Sequence, residues 1–158
     1  MTEYLDTDTS WAAVLATGKQ MSDCMKAGMH AYVWWYAVRF YGPIDEAGNV
    51  SKRGYVMSQF ARFVRPGFVR VSGTDNSPRN FVDVTAYRSG SKTVIVAVNR
   101  NSTAKSQTFV LWNGTVGSFT PYVTSSSKNC EQQNAITFKN GSFDYTLEPS
   151  SVTTFVLN

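Results

Sequence analysis

At 158 residues and a formal net charge of +4, the chain has room for one core or two small ones, since domains usually run to roughly 100–150 residues. Its Lys and Arg stand singly among polar residues, which argues against a nucleic-acid surface, and no apolar stretch approaches the roughly 20 residues of a membrane span. Aromatics make up 14% of the chain, and tyrosine and tryptophan combine flat faces with polar handles that suit sugar rings or interfaces.

In chain order, Thr2-Glu3-Tyr4 reads as the end of a strand bearing a lone carboxylate, and Asp6 and Asp8 as loop-solvating or helix-capping residues. From Ser10, apolar Trp11, Val14, Leu15, Met21 and Met25 recur by three and four, which predicts a helix capped by Thr9 or Ser10 and closed at Gly28. Next comes AYVWWYAV, Ala31 to Val38, an unbroken apolar run that predicts a strand buried on both faces. A loop with a turn at Asp45-Glu46 leads to a second helix with Val56, Phe60, Phe63 and Val64 on one face, stopped by Arg65-Pro66-Gly67.

Beyond Pro66 the period drops from 3.6 to 2. Strands are expected at 69–73, 81–87, 93–99, 108–112, 118–123, 135–138 and 152–157, with a hairpin turn at Ser89-Gly90, which together predict an antiparallel β-sandwich. The first part reads as strand end, helix, strand, helix: two β/α units lacking the rest of their sheet. The expected boundary divides residues 1–66 from 67–158.

Cys24 and Cys130 are too few for a disulfide framework and badly spaced for a metal, so both read as free thiols. The lone His30 beside an apolar run reads as structural, and nothing in the motifs implies a metal or cofactor. The sequons at Asn101, Asn113 and Asn140 fall in Ser/Thr/Gly-rich loops, where chance supplies them.

The string YVWWY, followed by an arginine, YG and DEAGNVSKRGYVMSQFARFVRPG, with a β module ending SSVTTFVLN, resembles the xylanases of glycoside hydrolase family 30, especially those cutting glucuronoxylan. The resemblance runs over essentially the whole chain and implies an α+β chain: the last two β/α units of a (β/α)8 barrel followed by an antiparallel β-sandwich side domain. It further implies a secreted, extracellular retaining endo-β-1,4-xylanase in which Glu3 matches the nucleophile at the end of the seventh strand. The acid/base carboxylate would lie in a missing N-terminal barrel segment, or in another copy. Trp35 matches a position near the sugar, Arg39 and Tyr41 match positions that hold its glucuronate branch, and Tyr36 and Tyr4 are further candidate contacts. The loop after Glu3, YLDTDTS, departs from the glucuronoxylan-cutting pattern, which leaves dependence on the branch open.

Alternation lets only one of Trp34 and Trp35 face a cleft, the other packing towards the helices. A competing reading is a non-catalytic polysaccharide-binding or interaction fragment, with Tyr87, Trp112, Tyr122 or Tyr145 as platforms. The resemblance implies xylan or glucuronoxylan as partner, with neither nucleic acid nor membrane, and the uncovered edges of the first part predict self-association.

Overall fold

The computed structural model describes residues 3–73, 80–112 and 116–158, so the sequon at Asn113 and Thr2 of the opening motif lie outside the described residues. Two helices lie on one face of an antiparallel sheet, the α+β arrangement. Helix α1 is Trp11–Lys26 and α2 is Lys52–Ala61. The strands are β1 (Val69–Val71), β2 (Val82–Ser89), β3 (Lys92–Asn99), β4 (Lys105–Val110), β5 (Val116–Thr124), β6 (Glu131–Gln132), β7 (Ile136–Lys139), β8 (Ser142–Leu147) and β9 (Ser151–Leu157).

Both helices start on serine caps. The Ser10 hydroxyl accepts from the Ala13 amide at the head of α1, and Gly28, at φ +80°, follows its end in the conformation that glycine adopts freely. Ser51 accepts from the Gly54 amide and donates to the Gly42 carbonyl at 2.6 Å, so one hydroxyl both caps α2 and ties it to the preceding loop.

In place of two separate sheets, the described strands form one hydrogen-bonded sheet of nine, ordered β1-β2-β3-β9-β5-β7-β8-β4 with β6 on β5, and curled over itself. Inside the curl an aromatic core packs: Phe143 lies 4.9 Å from Phe109, 5.1 Å from Phe119 and 5.4 Å from Phe155, centroid to centroid. Strand β3 shows why the sheet can be covered twice. Its Ile95 and Ala97 enter the aromatic core, while Val94, Val96 and Val98 face the helices and meet Val14, Leu15, Val56 and Phe60. The unbroken apolar run of β3 is what two-sided burial demands.

Polar bonds pin the helices to the sheet. The Gln59 amide donates to the Thr124 hydroxyl at 2.7 Å, and Thr154 donates to the Gln59 carbonyl at 2.8 Å. The Lys52 ammonium donates to the carbonyls of Ser125 and Lys128 and to Asn129 Oδ1. Trp11 Nε1 donates to the Ser150 carbonyl. The helix cluster thus takes residues from both sides of position 66.

Two expectations need correction. The segment 31–38 is not a strand: it makes one parallel bridge, Tyr4 to Trp34, and another from Val38 to Ile44, with Trp34 its one buried residue. A strand needs a hydrogen-bonded ladder along its length, and among the described residues this segment has isolated bridges to Tyr4 and Ile44 instead. The hairpin turn sits one residue later than predicted, because Ser89 pairs with Lys92 across Gly90-Ser91.

Candidate active site

The loop after Glu3 is built from consecutive aspartate turns. Asp6 Oδ1 accepts from the Asp8 amide at 2.9 Å, and Asp8 Oδ1 accepts from the Ser10 amide at 2.8 Å, so both are loop residues, and the helix cap is Ser10. The Ser10 bonds hold the Asp8 carboxyl below its ordinary pKa.

Tyr4 joins this loop to the tryptophan segment. Its amide donates to the Val33 carbonyl at 3.1 Å, and its carbonyl accepts from the Trp35 amide at 2.7 Å. Bridged residues point to the same side, so Tyr4 and Trp34 share one face, while Glu3, Leu5, Val33 and Trp35 share the other. The environments agree with that division. Trp34 is buried, with the Tyr4 ring edge-on at 5.5 Å, whereas Glu3, Leu5, Val33 and Trp35 are all exposed. Of the two tryptophans, one therefore packs inward and one looks out, as alternation requires. Tyr4, a candidate sugar contact, lies with its ring on the face opposite Glu3, near Tyr32 at 6.2 Å. Burial pushes the Tyr32 phenol up, and its hydroxyl donates to Gln20 Oε1 at 2.6 Å.

Beyond Trp35 the chain turns. Tyr36 adopts φ +58°, a conformation rare for an aromatic residue, and its ring meets Trp35 edge-on at 5.0 Å. The Arg39 guanidinium sits 4.8 Å from the Tyr36 ring centroid and 3.8 Å from Glu46. Both side chains of that ion pair are exposed, so it holds Arg39 weakly and leaves its planar fork accessible. Tyr41 is half-buried with its ring edge-on to Phe40 at 5.0 Å. Glu3, Trp35, Tyr36 and Arg39 thus occupy exposed surface on the loops linking α1 to α2 and the start of the chain, while Tyr41 sits at its margin.

The loop that carries Arg39 is closed by Asp45. Its Oδ1 accepts from the amides of Ala47 and Asn49, which holds the carboxyl below its ordinary pKa, led by the Asn49 bond. The predicted turn at Asp45-Glu46 is present.

Arg53 was missed in the sequence. It is 2% exposed, donates to the carbonyls of Asp6, Asp8 and Tyr41 and to Thr17 Oγ1, and lies 4.6 Å from the Trp34 ring centroid. Burial draws its pKa down, opposed chiefly by the Asp6 carboxylate. The signal was there: Arg53, Val56 and Phe60 follow i, i+3, i+7 spacing, which puts the arginine on the buried face of α2.

Of the four aromatic residues considered as platforms on the β module, Tyr87 is buried, Tyr145 packs edge-on against Phe155 at 5.0 Å and Tyr122 lies 4.6 Å from Phe63. Trp112 alone among them is free, at 92% exposed. His30 is exposed and Cys24 and Cys130 are buried free thiols; among the described residues no cluster of three or more His, Cys, Asp or Glu side chains could hold a metal ion. No helix among them is long and apolar enough to cross a membrane.

Compared with known proteins, the chain is 43% identical to glucuronoxylanase XynC of Bacillus subtilis (strain 168) across all of its own length and 39% of that protein. It superposes on the family 30 endoxylanase of Clostridium papyrosolvens with a TM-score of 0.93 at 39% identity, covering 100% of this chain and 41% of the other. The likeness is to glycoside hydrolase family 30. The family 30 subfamily 8 xylanase of Clostridium acetobutylicum matches equally well in shape, with a TM-score of 0.93 at 34% identity, 100% of this chain and 42% of that one. The chain spans about two fifths of these family 30 proteins, and what it covers is their C-terminal part. No family model matches the chain.

Proposed function

We propose that the chain is the C-terminal portion of a secreted, retaining endo-β-1,4-xylanase acting on xylan or glucuronoxylan, with Glu3 as its nucleophile. The observation that carries this reading is the parallel Tyr4–Trp34 bridge, which sets Glu3 and Trp35 on one exposed face. Adjacent parallel strands with catalytic groups at their ends are the grammar of a (β/α)8 barrel, and residues 1–66 would be its last two units, with 67–158 its side domain.

In this mechanism Glu3 attacks the anomeric carbon of a xylose as the leaving oxygen takes a proton from a second carboxyl about 5–5.5 Å away. Water then hydrolyses the glycosyl-enzyme, with the second carboxyl acting as base. Asp6 and Asp8 are engaged in backbone turns, so the second carboxyl would come from the missing barrel segment or another copy. Trp35 and Tyr36 would offer faces to the sugar, and Arg39 would take the glucuronate carboxylate through two parallel hydrogen bonds, with Tyr41 beside it. Tyr4 would support Trp34 from behind rather than touch sugar.

The test is a chimera in which this chain replaces the matching C-terminal part of the B. subtilis glucuronoxylanase. Reducing-sugar release from glucuronoxylan is expected, with Glu3→Gln lowering kcat at least about 10³-fold. Unchanged turnover in that variant would overturn the assignment. Arg39→Ala should raise KM on the branched polymer roughly 10-fold and leave unbranched xylan unaffected. A folded but inactive chimera that still binds xylan would favour the non-catalytic binding reading, for which the free Trp112 ring speaks.

A further inference from the structure

We propose that Arg53 is the positioning residue of this site, fixing the stretch that carries Glu3 against the stretch that carries Trp35 and Arg39. It rests on the reading of Glu3 and Trp35 as one site. Among the described residues, Tyr4 bonds the second stretch through its amide to the Val33 carbonyl and through its carbonyl to the Trp35 amide.

Arg53 adds side-chain bonds that join the two stretches at other points. Its Nη1 donates both to the Asp6 carbonyl at 2.8 Å and to the Tyr41 carbonyl at 2.6 Å, so one nitrogen spans the two stretches. Nη2 extends the hold on the first stretch through the Asp8 carbonyl at 2.6 Å. Nε donates to Thr17 Oγ1 at 3.3 Å, which references the whole assembly to α1, while the guanidinium carbon lies over the Trp34 ring, 4.6 Å from its centroid. Trp34 stands between Val33 and Trp35, the residues that Tyr4 bonds, so the stacking acts on the bridge itself.

The chemistry requires arginine. A rigid planar fork carries five donors, and four acceptors in different directions are met here. A lysine ammonium at this depth has three donors on one atom and no flat face for Trp34. The Asp6 carboxylate, at 4.0 Å, is farther than any of the carbonyls, so the guanidinium reads backbone more than it reads charge. It therefore holds the two stretches whatever side chains stand at 6, 8 and 41.

Residue-level amide exchange on the folded 158-residue chain tests this without xylan or catalysis, so its failure is separable from failure of the xylanase reading. In Arg53→Lys, the Tyr4 and Trp35 amides should lose at least about 10-fold in protection, while those of Val96 and Phe155 in the sheet change less than about 2-fold. A uniform change at all four would make Arg53 an ordinary stability residue and overturn the proposal. Should that variant not fold, the wild-type chain decides: the Arg53 Nε proton and the Tyr4 and Trp35 amides should exchange through one opening event, with the same dependence on urea. Fast exchange of the two amides while the guanidinium proton stays protected would equally overturn it.

Discussion

Lys52 and Arg53 are adjacent cations with separate tasks. Lys52 reaches across to the turn after β5, and Arg53 reaches back under the Glu3 and Trp35 stretches. Gly54 follows because the backbone there comes too close for anything larger. A Cβ at 54 would sit 2.1 Å from the Pro43 carbonyl oxygen, a contact relieved only by moving backbone. Gly54→Ala should therefore lose about 1–3 kcal/mol, whereas Gly28→Ala, with open space but φ +80°, should lose about 1 kcal/mol; urea midpoints at constant slope would rank them. Asp45 supplies a pH dependence at the same scale. Its folded pKa is depressed by backbone donors, so its contribution is present above the ordinary carboxylate pKa of about 4 and fades as pH falls through the lower folded value. The amide shifts of Ala47 and Asn49 should follow that acid titration, and Asp45→Asn should abolish it.

Among the elements, α1 and α2 could be read directly because their burial repeats with helical geometry, and β3 because its apolar run is unbroken over the length of a strand. Serine caps, a glycine stop and the TVIVAV run each act through neighbours in sequence. Strand β8 went unread, although Asn140-Gly141, both at positive φ, forms the two-residue turn that pairs Lys139 with Ser142. AYVWWYAV misled for a different reason: an apolar run says that a segment needs cover, and only tertiary neighbours say whether it is a strand. Glu3, Trp35 and Arg39 were legible as candidates by family likeness, but the clasp beneath them joins residues 6, 8, 17, 41 and 53, contacts that no local pattern encodes. Strand β9 carries a sharper consequence. Phe155 is fully buried between Phe109, Phe143 and Tyr145, so Phe155→Ala should destabilise by about 3–5 kcal/mol. Trp112→Ala, at a side chain 92% exposed, should stay within about 0.5 kcal/mol in the same thermal unfolding series.

At the scale of the molecule, two cores are closed and one surface is not. The aromatic core is sealed by the curl of the sheet and the second by the helices, yet Leu5, Val33, Trp35, Tyr36, Val38 and Phe40 remain exposed on neighbouring stretches of chain. Monomeric proteins rarely leave contiguous apolar patches of more than a few hundred Å² in water. The chain should therefore self-associate with rising concentration in light scattering. Phe40→Ser with Val38→Ser should shift it towards monomer while the helix and sheet signals in circular dichroism hold, since both side chains are at least half exposed. A wild-type chain that stayed monomeric throughout would overturn the expectation that this surface recruits another chain. Association relieved by the double variant would place the self-associating surface at Val38 and Phe40, on the stretch that also exposes Trp35 and Tyr36.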